Sequence, residues 1–218
     1  MVTSGNNHWR FFCIVLLAGW LSQPAAAALP ALEKVIQHQF PQSRAELQTI
    51  TDDLFNEYQQ QHNIVSLIFY SYGMLKLADR YAAENNIIKA SEYARTGFFY
   101  LDEAAELKEN DPRVRYLRAR VDAFLPADLG RCVTALSDTQ FILTMPEKVD
   151  GDIRSYVRYM RYRALYNCRK YQQATALLAQ IKQANPHFAL LTLPMNATPE
   201  WNAREFTQIV LPLAVGDK

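Results

Sequence analysis

The chain has 218 residues, half of them hydrophobic, with 23 basic and 22 acidic side chains. That length suits one domain with a buried core. The near-zero net charge removes any global electrostatic case for nucleic acid or a charged membrane surface, so an ionic partner would need a local patch.

Residues 1–27 read as a secretory leader. They hold Arg10 and no acid, then the apolar run Phe11–Leu21, then Ser22-Gln23-Pro24 and the alanines Ala25–Ala28. Small residues at −3 and −1 suit signal peptidase cleavage after Ala27 or Ala28. The 11-residue run is too short to cross a hydrocarbon core about 30 Å thick. An uncleaved anchor is the alternative. Cys13, without the small residues of a lipoprotein site, is expected to leave with the leader. The expected location is the bacterial periplasm, or secretion, with no transmembrane span in the mature chain. Residues 28–218 then carry 22 basic and 22 acidic side chains and are expected to form a single α-helical domain.

Helical periodicity runs through that domain and alternating strand patterns are scarce. A short helix is expected from Pro30 to Gln39, stopping before Pro41. Ser43-Arg44-Ala45-Glu46 has capping-box spacing and opens a helix to about Gln60. Asn63 caps the next, whose run Ile64–Tyr72 is apolar nearly all round and therefore central. It reaches about Glu84, and Asn85-Asn86 breaks it. From Ile88 the stripe is Ala90, Ala94, Phe98, Leu101 and Ala105. Asp111-Pro112 supplies a cap and an N1 proline for the stripe Val114, Leu117, Val121 and Phe124. After the turn at Pro126, Val133, Leu136, Phe141 and Leu143 mark a helix that stops before Pro146. Asp150-Gly151-Asp152 caps a helix with stripe Ile153, Val157, Met160 and Ala164. Arg169-Lys170 turns the chain. Tyr171, Ala174, Leu178 and Ile181 follow, ending at Asn185-Pro186. Thr198-Pro199-Glu200 opens a terminal helix, expected to cap the fold over about 199–210.

These helices pair as antiparallel hairpins whose junctions carry Pro112, Pro146 and Pro186, separated by 34 and 40 residues. In the last hairpin Tyr171 precedes Ala174 by three and Pro186 follows Ala174 by twelve. This pattern resembles the second helix of a tetratricopeptide repeat. The resemblance covers roughly residues 63–186 and is best over 150–186; the Trp-Leu-Gly signature of the first helix is absent. It implies an all-α fold of helical hairpins stacked as a tetratricopeptide-like superhelix, with an irregular helical bundle as the alternative.

Catalytic patterns are missing. His38, His62 and His187 are far apart and there is no Cys-x-x-Cys, so no metal or other cofactor is expected. No glycine-rich phosphate loop and no Gly-x-Ser-x-Gly elbow occur. The acid pair Asp52-Asp53 falls on adjacent helical positions about 100° apart, and acids in a first turn suit the macrodipole. The chain is not expected to be an enzyme.

The unusual feature is arginine with tyrosine. Residues 154–171 contain Arg154, Arg158, Arg161, Arg163 and Arg169 with Tyr156, Tyr159, Tyr162, Tyr166 and Tyr171, and the helix after Pro112 holds Arg113, Arg115, Arg118 and Arg120. Arg115, Arg118, Arg154, Arg158 and Arg161 each sit one residue after a core position on the first helix of a hairpin. In a stacked array they would share one concave surface, with Tyr159 and Tyr162 as rigid contact area. Guanidinium forks bind carboxylates and tyrosine offers amphipathic area. The expected partner is a protein or peptide with an acidic feature or a C-terminal carboxylate. A solvated face paired to neighbouring acids is the competing reading. A cell-wall-acting helical hydrolase and a small-ligand or lipid carrier remain as other functional classes.

Cys132 lies near the start of one helix and Cys168 at the end of the next, and antiparallel neighbours bring those ends together. In an oxidising compartment they are expected to form a disulfide; two buried thiols would look the same in sequence. Export predicts a mature N-terminus at Ala28 or Leu29 by mass spectrometry. Intact Met1 in the membrane fraction would overturn it.

Overall fold

The computed structural model describes Met1 and residues 28–145 and 150–216; the leader expected over 1–27 lies otherwise outside them, as does Pro146. Among the described residues the architecture is all-α, without strands. The helices are α1 Pro30–His38, α2 Arg44–Gln61, α3 Ile64–Ala83, α4 Ile87–Leu107, α5 Pro112–Asp122, α6 Cys132–Leu143, α7 Gly151–Asn167 and α8 Tyr171–Ala184. The terminal helix α9 spans 203–215, joining Ala203–Glu205, a π segment Phe206–Val210 and Leu211–Val215. No helix among the described residues is long and apolar enough to cross a membrane.

The caps follow from short polar side chains that reach their own backbone. Asn63 accepts from the Val65 and Ser66 amides, Asp111 from Arg113 and Asp150 from Ile153. Ser43 occupies the cap of α2 without a side-chain bond. The terminal helix opens later than its Thr198-Pro199-Glu200 signal suggests. Asn202 caps it, and a capping box closes between Asn202 and Glu205. Pro212 has no N–H to give the turn below it, and there the Leu211 amide reaches five residues back, to the Phe206 carbonyl.

Successive helices pack as short-turn hairpins from α2 through α8, α5 also meets α7, and α9 returns onto α3 and α5. Helix α3 is buried on all sides from Ile64 to Met74, as its continuous apolar run requires. Gly73 and Gly97 allow close approach: a Cβ on Gly73 would lie 2.3 Å from Thr51 Oγ1, and one on Gly97 2.8 Å from Leu75 Cγ. One core runs through α1–α7 and α9, and a second joins α7 and α8 to residues 188–193. In α6 the inward stripe differs from the expected one: Val133 is exposed, while Ala135, Asp138, Thr139 and Ile142 are buried.

Cys132 and Cys168 tie the start of α6 to the end of α7, with Cα atoms 5.8 Å apart and sulfurs at bonding distance. Closing a loop across 36 residues should stabilise the fold by about 4 kcal/mol in the chain-entropy model. A Cys132→Ser/Cys168→Ser variant should therefore unfold at clearly lower urea than the oxidised protein, and the gap should vanish when both are reduced. Equal midpoints before reduction, or two free thiols in the denatured unreduced protein, would refute the bond.

Candidate functional site

Three arrangements could carry function: the arginines around α6, the α7–α8 hairpin, and a cleft beneath the C-terminal segment.

Around α6 the arginines are bound to buried acids. The Asp138 carboxylate is fully buried and accepts from Arg115 Nη1 at 2.8 Å and from Arg118 Nε and Nη2 at 2.7 and 2.9 Å. Arg118 also donates to Asp102 at 3.0 Å. Arg131 donates twice to Asp102, at 2.6 and 2.7 Å, and twice to Asp122, at 2.9 and 2.8 Å. The result is an alternating chain, Arg115–Asp138–Arg118–Asp102–Arg131–Asp122, that stitches α4, α5 and α6. Arg115 further donates to the Glu109 carbonyl and lies 4.5 Å from the Phe141 ring centroid. Removing both Arg115 and Arg118 would strand the buried Asp138 charge, at about 3–5 kcal/mol. These two side chains therefore hold the fold together instead of presenting free guanidinium to a partner.

The two predicted tyrosines are core residues. Tyr159 is 1% and Tyr162 8% exposed, and their rings face Phe124, Phe188 and each other. They offer no contact surface as they stand.

The remaining predicted arginines behave differently. Arg154, Arg158 and Arg161 fall at one flank of α7 and all are half-buried. Arg158 donates to Gln180 on α8 at 3.4 Å; Arg161 donates to the Leu136 carbonyl at 2.9 Å and to Thr139 at 3.3 Å. Neither Arg158 nor Arg161 has a carboxylate partner among the described residues. Burial without an anion pulls the Arg161 pKa down. Arg161 reaches α6 beside Asp138, so the structure does bring it toward the Arg115–Arg118 flank. The wider pattern is in composition: residues 153–199 contain seven Lys and Arg and no Asp or Glu, whereas residues 28–152 contain 19 acids and 13 bases. The neutral total conceals a strongly basic hairpin.

Arg163, which the sequence pattern did not single out, is the largest fully buried side chain. Its guanidinium donates to the carbonyls of Met195 and Ala197 at 2.6 and 3.1 Å and to Tyr159, and lies 4.8 Å from the Phe124 centroid. Its Nε is the only buried side-chain N or O without a hydrogen-bond partner among the described residues. It anchors the irregular segment before α9 to α7.

The third arrangement is a cleft of about 440 Å³ between the α1–α2 turn, α3, α4, α5 and residues 198–206. Phe40, Phe69, Trp201 and Phe206 form a ladder in its wall, with successive centroids 6.3, 5.9 and 5.2 Å apart. Arg120 stacks on Trp201 at 3.7 Å and donates to Glu205 and to the Pro199 carbonyl. Glu205, almost fully buried, also accepts from Tyr116 at 2.9 Å. Asp79 lines the same cleft and its pKa is raised by burial, against the pull of Lys76 and Arg80.

Among the described residues no three His, Cys, Asp or Glu side chains converge as metal ligands. Comparison with known proteins finds no matching family model, curated protein or solved structure.

The ion chain has its own pH signature. Burial pushes the Asp122 carboxyl up to about 6 in spite of Arg131. A folded pKa above the unfolded one means proton uptake favours the folded state. The contribution of Asp122 is thus full below its unfolded value of 3.8 and is lost as pH rises through about 6. Asp102, whose pKa is lowered although burial opposes it, because Arg131 and Arg118 donate to it, acts in the opposite sense below its unfolded value. Going from pH 7 to pH 5, urea melts should show the wild type gaining about 1 kcal/mol relative to Asp122→Asn. A difference unchanged with pH would refute this titration.

Proposed function

We propose that this protein is an exported, periplasmic scaffold or adaptor, a tetratricopeptide-like stack of hairpins that binds an acidic protein or peptide through the basic α7–α8 hairpin. One observation carries the reading: a 47-residue stretch, 153–199, holds seven basic side chains and no acid, and within it Arg158 and Arg161 have no carboxylate partner among the described residues. Half-buried guanidinium already stripped of some water gains more from an incoming carboxylate than an exposed lysine does. The site residues are therefore Arg154, Arg158 and Arg161, with the solvent-exposed Arg169, Lys170 and Lys182 steering approach. The disulfide is consistent with an oxidising compartment. The contact of α5 with α7 supports the stacked reading, while the return of α9 onto α3 departs from a purely nearest-neighbour array.

A second reading, a hydrolase, has a single observation behind it: Asp79 in the cleft with a raised pKa.

The binding reading is tested by fluorescence anisotropy of Glu-rich and Lys-rich peptides of equal length against the protein beginning at Ala28. The Glu-rich peptide should bind and the Lys-rich one should not. Arg158→Ala/Arg161→Ala should weaken binding by about tenfold or more, Arg158→Lys should restore only part of it, and raised salt should weaken it further. Equal binding of both peptides, or an unaffected double variant, would overturn the assignment.

A further inference from the structure

The basic hairpin has a counterpart in the acidic part of the same chain. Ile88, Glu92, Arg95, Phe99, Glu103 and Glu106 recur along α4 at spacings of three and four, which sets them in one stripe. Helix α4 packs chiefly against α3, and the stripe lies on its outer side. Ile88 is 84% and Phe99 60% exposed. Glu92, Arg95 and Glu106 are exposed as well, and Glu103 is half-buried. No base comes within salt-bridge distance of Glu92, Glu103 or Glu106 among the described residues. An exposed phenyl ring among unpaired carboxylates is a face without a partner inside the fold.

On the α7–α8 hairpin the sign is reversed. Arg158 reaches Gln180 of α8. Gln173, Ala176 and Gln180, at helical spacing on α8, are exposed and uncharged. A carboxylate and an aromatic ring brought there meet guanidinium and no opposing acid. The dimensions agree: at 1.5 Å per residue the stripe from Ile88 to Glu106 runs roughly 27 Å and α8 roughly 20 Å. The two faces stand on different helices, so one copy can use both at once. We infer that the acidic partner of the basic hairpin is the α4 stripe of a second copy of this chain, joined head to tail. This rests on the binding reading above and names its partner. Such a contact leaves one free face of each kind at its ends, so growth past two copies is open. One helix laid on one hairpin belongs with small interfaces, under about 1,200 Å², which makes the association weak and concentration-dependent.

Sedimentation velocity of the protein beginning at Ala28 tests this. At low salt the mean mass should rise with concentration, and high salt should return it to the monomer. Glu92→Lys/Glu106→Lys disables the stripe at two exposed positions. Arg158→Glu/Arg161→Gln disables the hairpin, the glutamine keeping a donor for the Leu136 carbonyl. Each variant alone should stay monomeric with the circular dichroism of the wild type. Mixed one to one, they should form a complex of two copies and no larger, because the first keeps its hairpin and the second its stripe. Phe99→Ala should weaken self-association by about tenfold. A wild type that is monomeric at every concentration, a variant that associates as well as the wild type, or a mixture that stays monomeric would overturn the inference. Anisotropy with the Glu-rich peptide, run on the monomeric Glu92→Lys/Glu106→Lys variant, separates the two claims. Peptide binding by a chain that never self-associates would overturn the second-copy partner and leave the binding reading standing. A chain that neither self-associates nor takes the peptide would overturn both.

Discussion

The buried Asp138 carboxylate is the constraint on which the middle of this molecule depends. A charge on the inward stripe of α6 cannot stay unpaired in a low-dielectric interior. Two guanidinium groups from α5 answer it, and one of them passes the pairing on to Asp102 of α4. Arg131, on the turn before α6, completes the chain through Asp102 to Asp122. Fork geometry fixes distance and angle in a way apolar contact does not, so the register of α4, α5 and α6 is set by charge. The disulfide then fixes the next step, α6 against α7, covalently.

This explains why a concentration of arginine divides into two kinds. On α5 each arginine of the pattern has a carboxylate within reach: Arg115 and Arg118 on Asp138, Arg120 on Glu205. On α7 no acid follows Asp152, and Arg161 and Arg163 turn to backbone carbonyls instead. A neutral carbonyl satisfies a donor without neutralising its charge. The charges of Arg161 and Arg163 thus meet no carboxylate among the described residues, whereas those of Arg115, Arg118 and Arg120 are paired inside the fold. The overall near-neutral charge hides this because the acidic excess lies in residues 28–152.

What could be read from the sequence was local. Asn63, Asp111 and Asp150 cap their helices because an Asx side chain reaches only its own next few amides. The cysteine pairing followed from the antiparallel register of adjacent helices. The start of α9 was misplaced because Thr198-Pro199-Glu200 and Asn202–Glu205 are both sound start signals, and a distant contact decides between them: Arg120 takes the Pro199 carbonyl and stacks on Trp201, holding residues 199–201 out of the helix. The salt-bridged fate of Arg115 and Arg118 had one legible sign, Asp138 sharing a face with Ala135, Thr139 and Ile142. The cleft had none, because Phe40, Phe69 and Trp201 come from three remote parts of the chain.

The segment leading into α9 ties these parts together mechanically. It has no regular hydrogen-bonded structure between Thr192 and Ala203, so its course is fixed by what grips its carbonyls. Arg163 of α7 holds Met195 and Ala197, and Arg120 of α5 holds Pro199. Trp201, immediately beyond, is pinned between Arg120 and the rings of Phe69 and Phe206. One wall of the aromatic cleft is thus suspended from two guanidinium groups, one belonging to the basic hairpin. A shift of α7 moves Arg163, and Arg163 cannot move without releasing the carbonyls four and six residues before Trp201. The basic hairpin and the aromatic cleft share no side chain, yet they share this strap, and its anchoring on α7 rests on a buried charge that no carboxylate among the described residues neutralises.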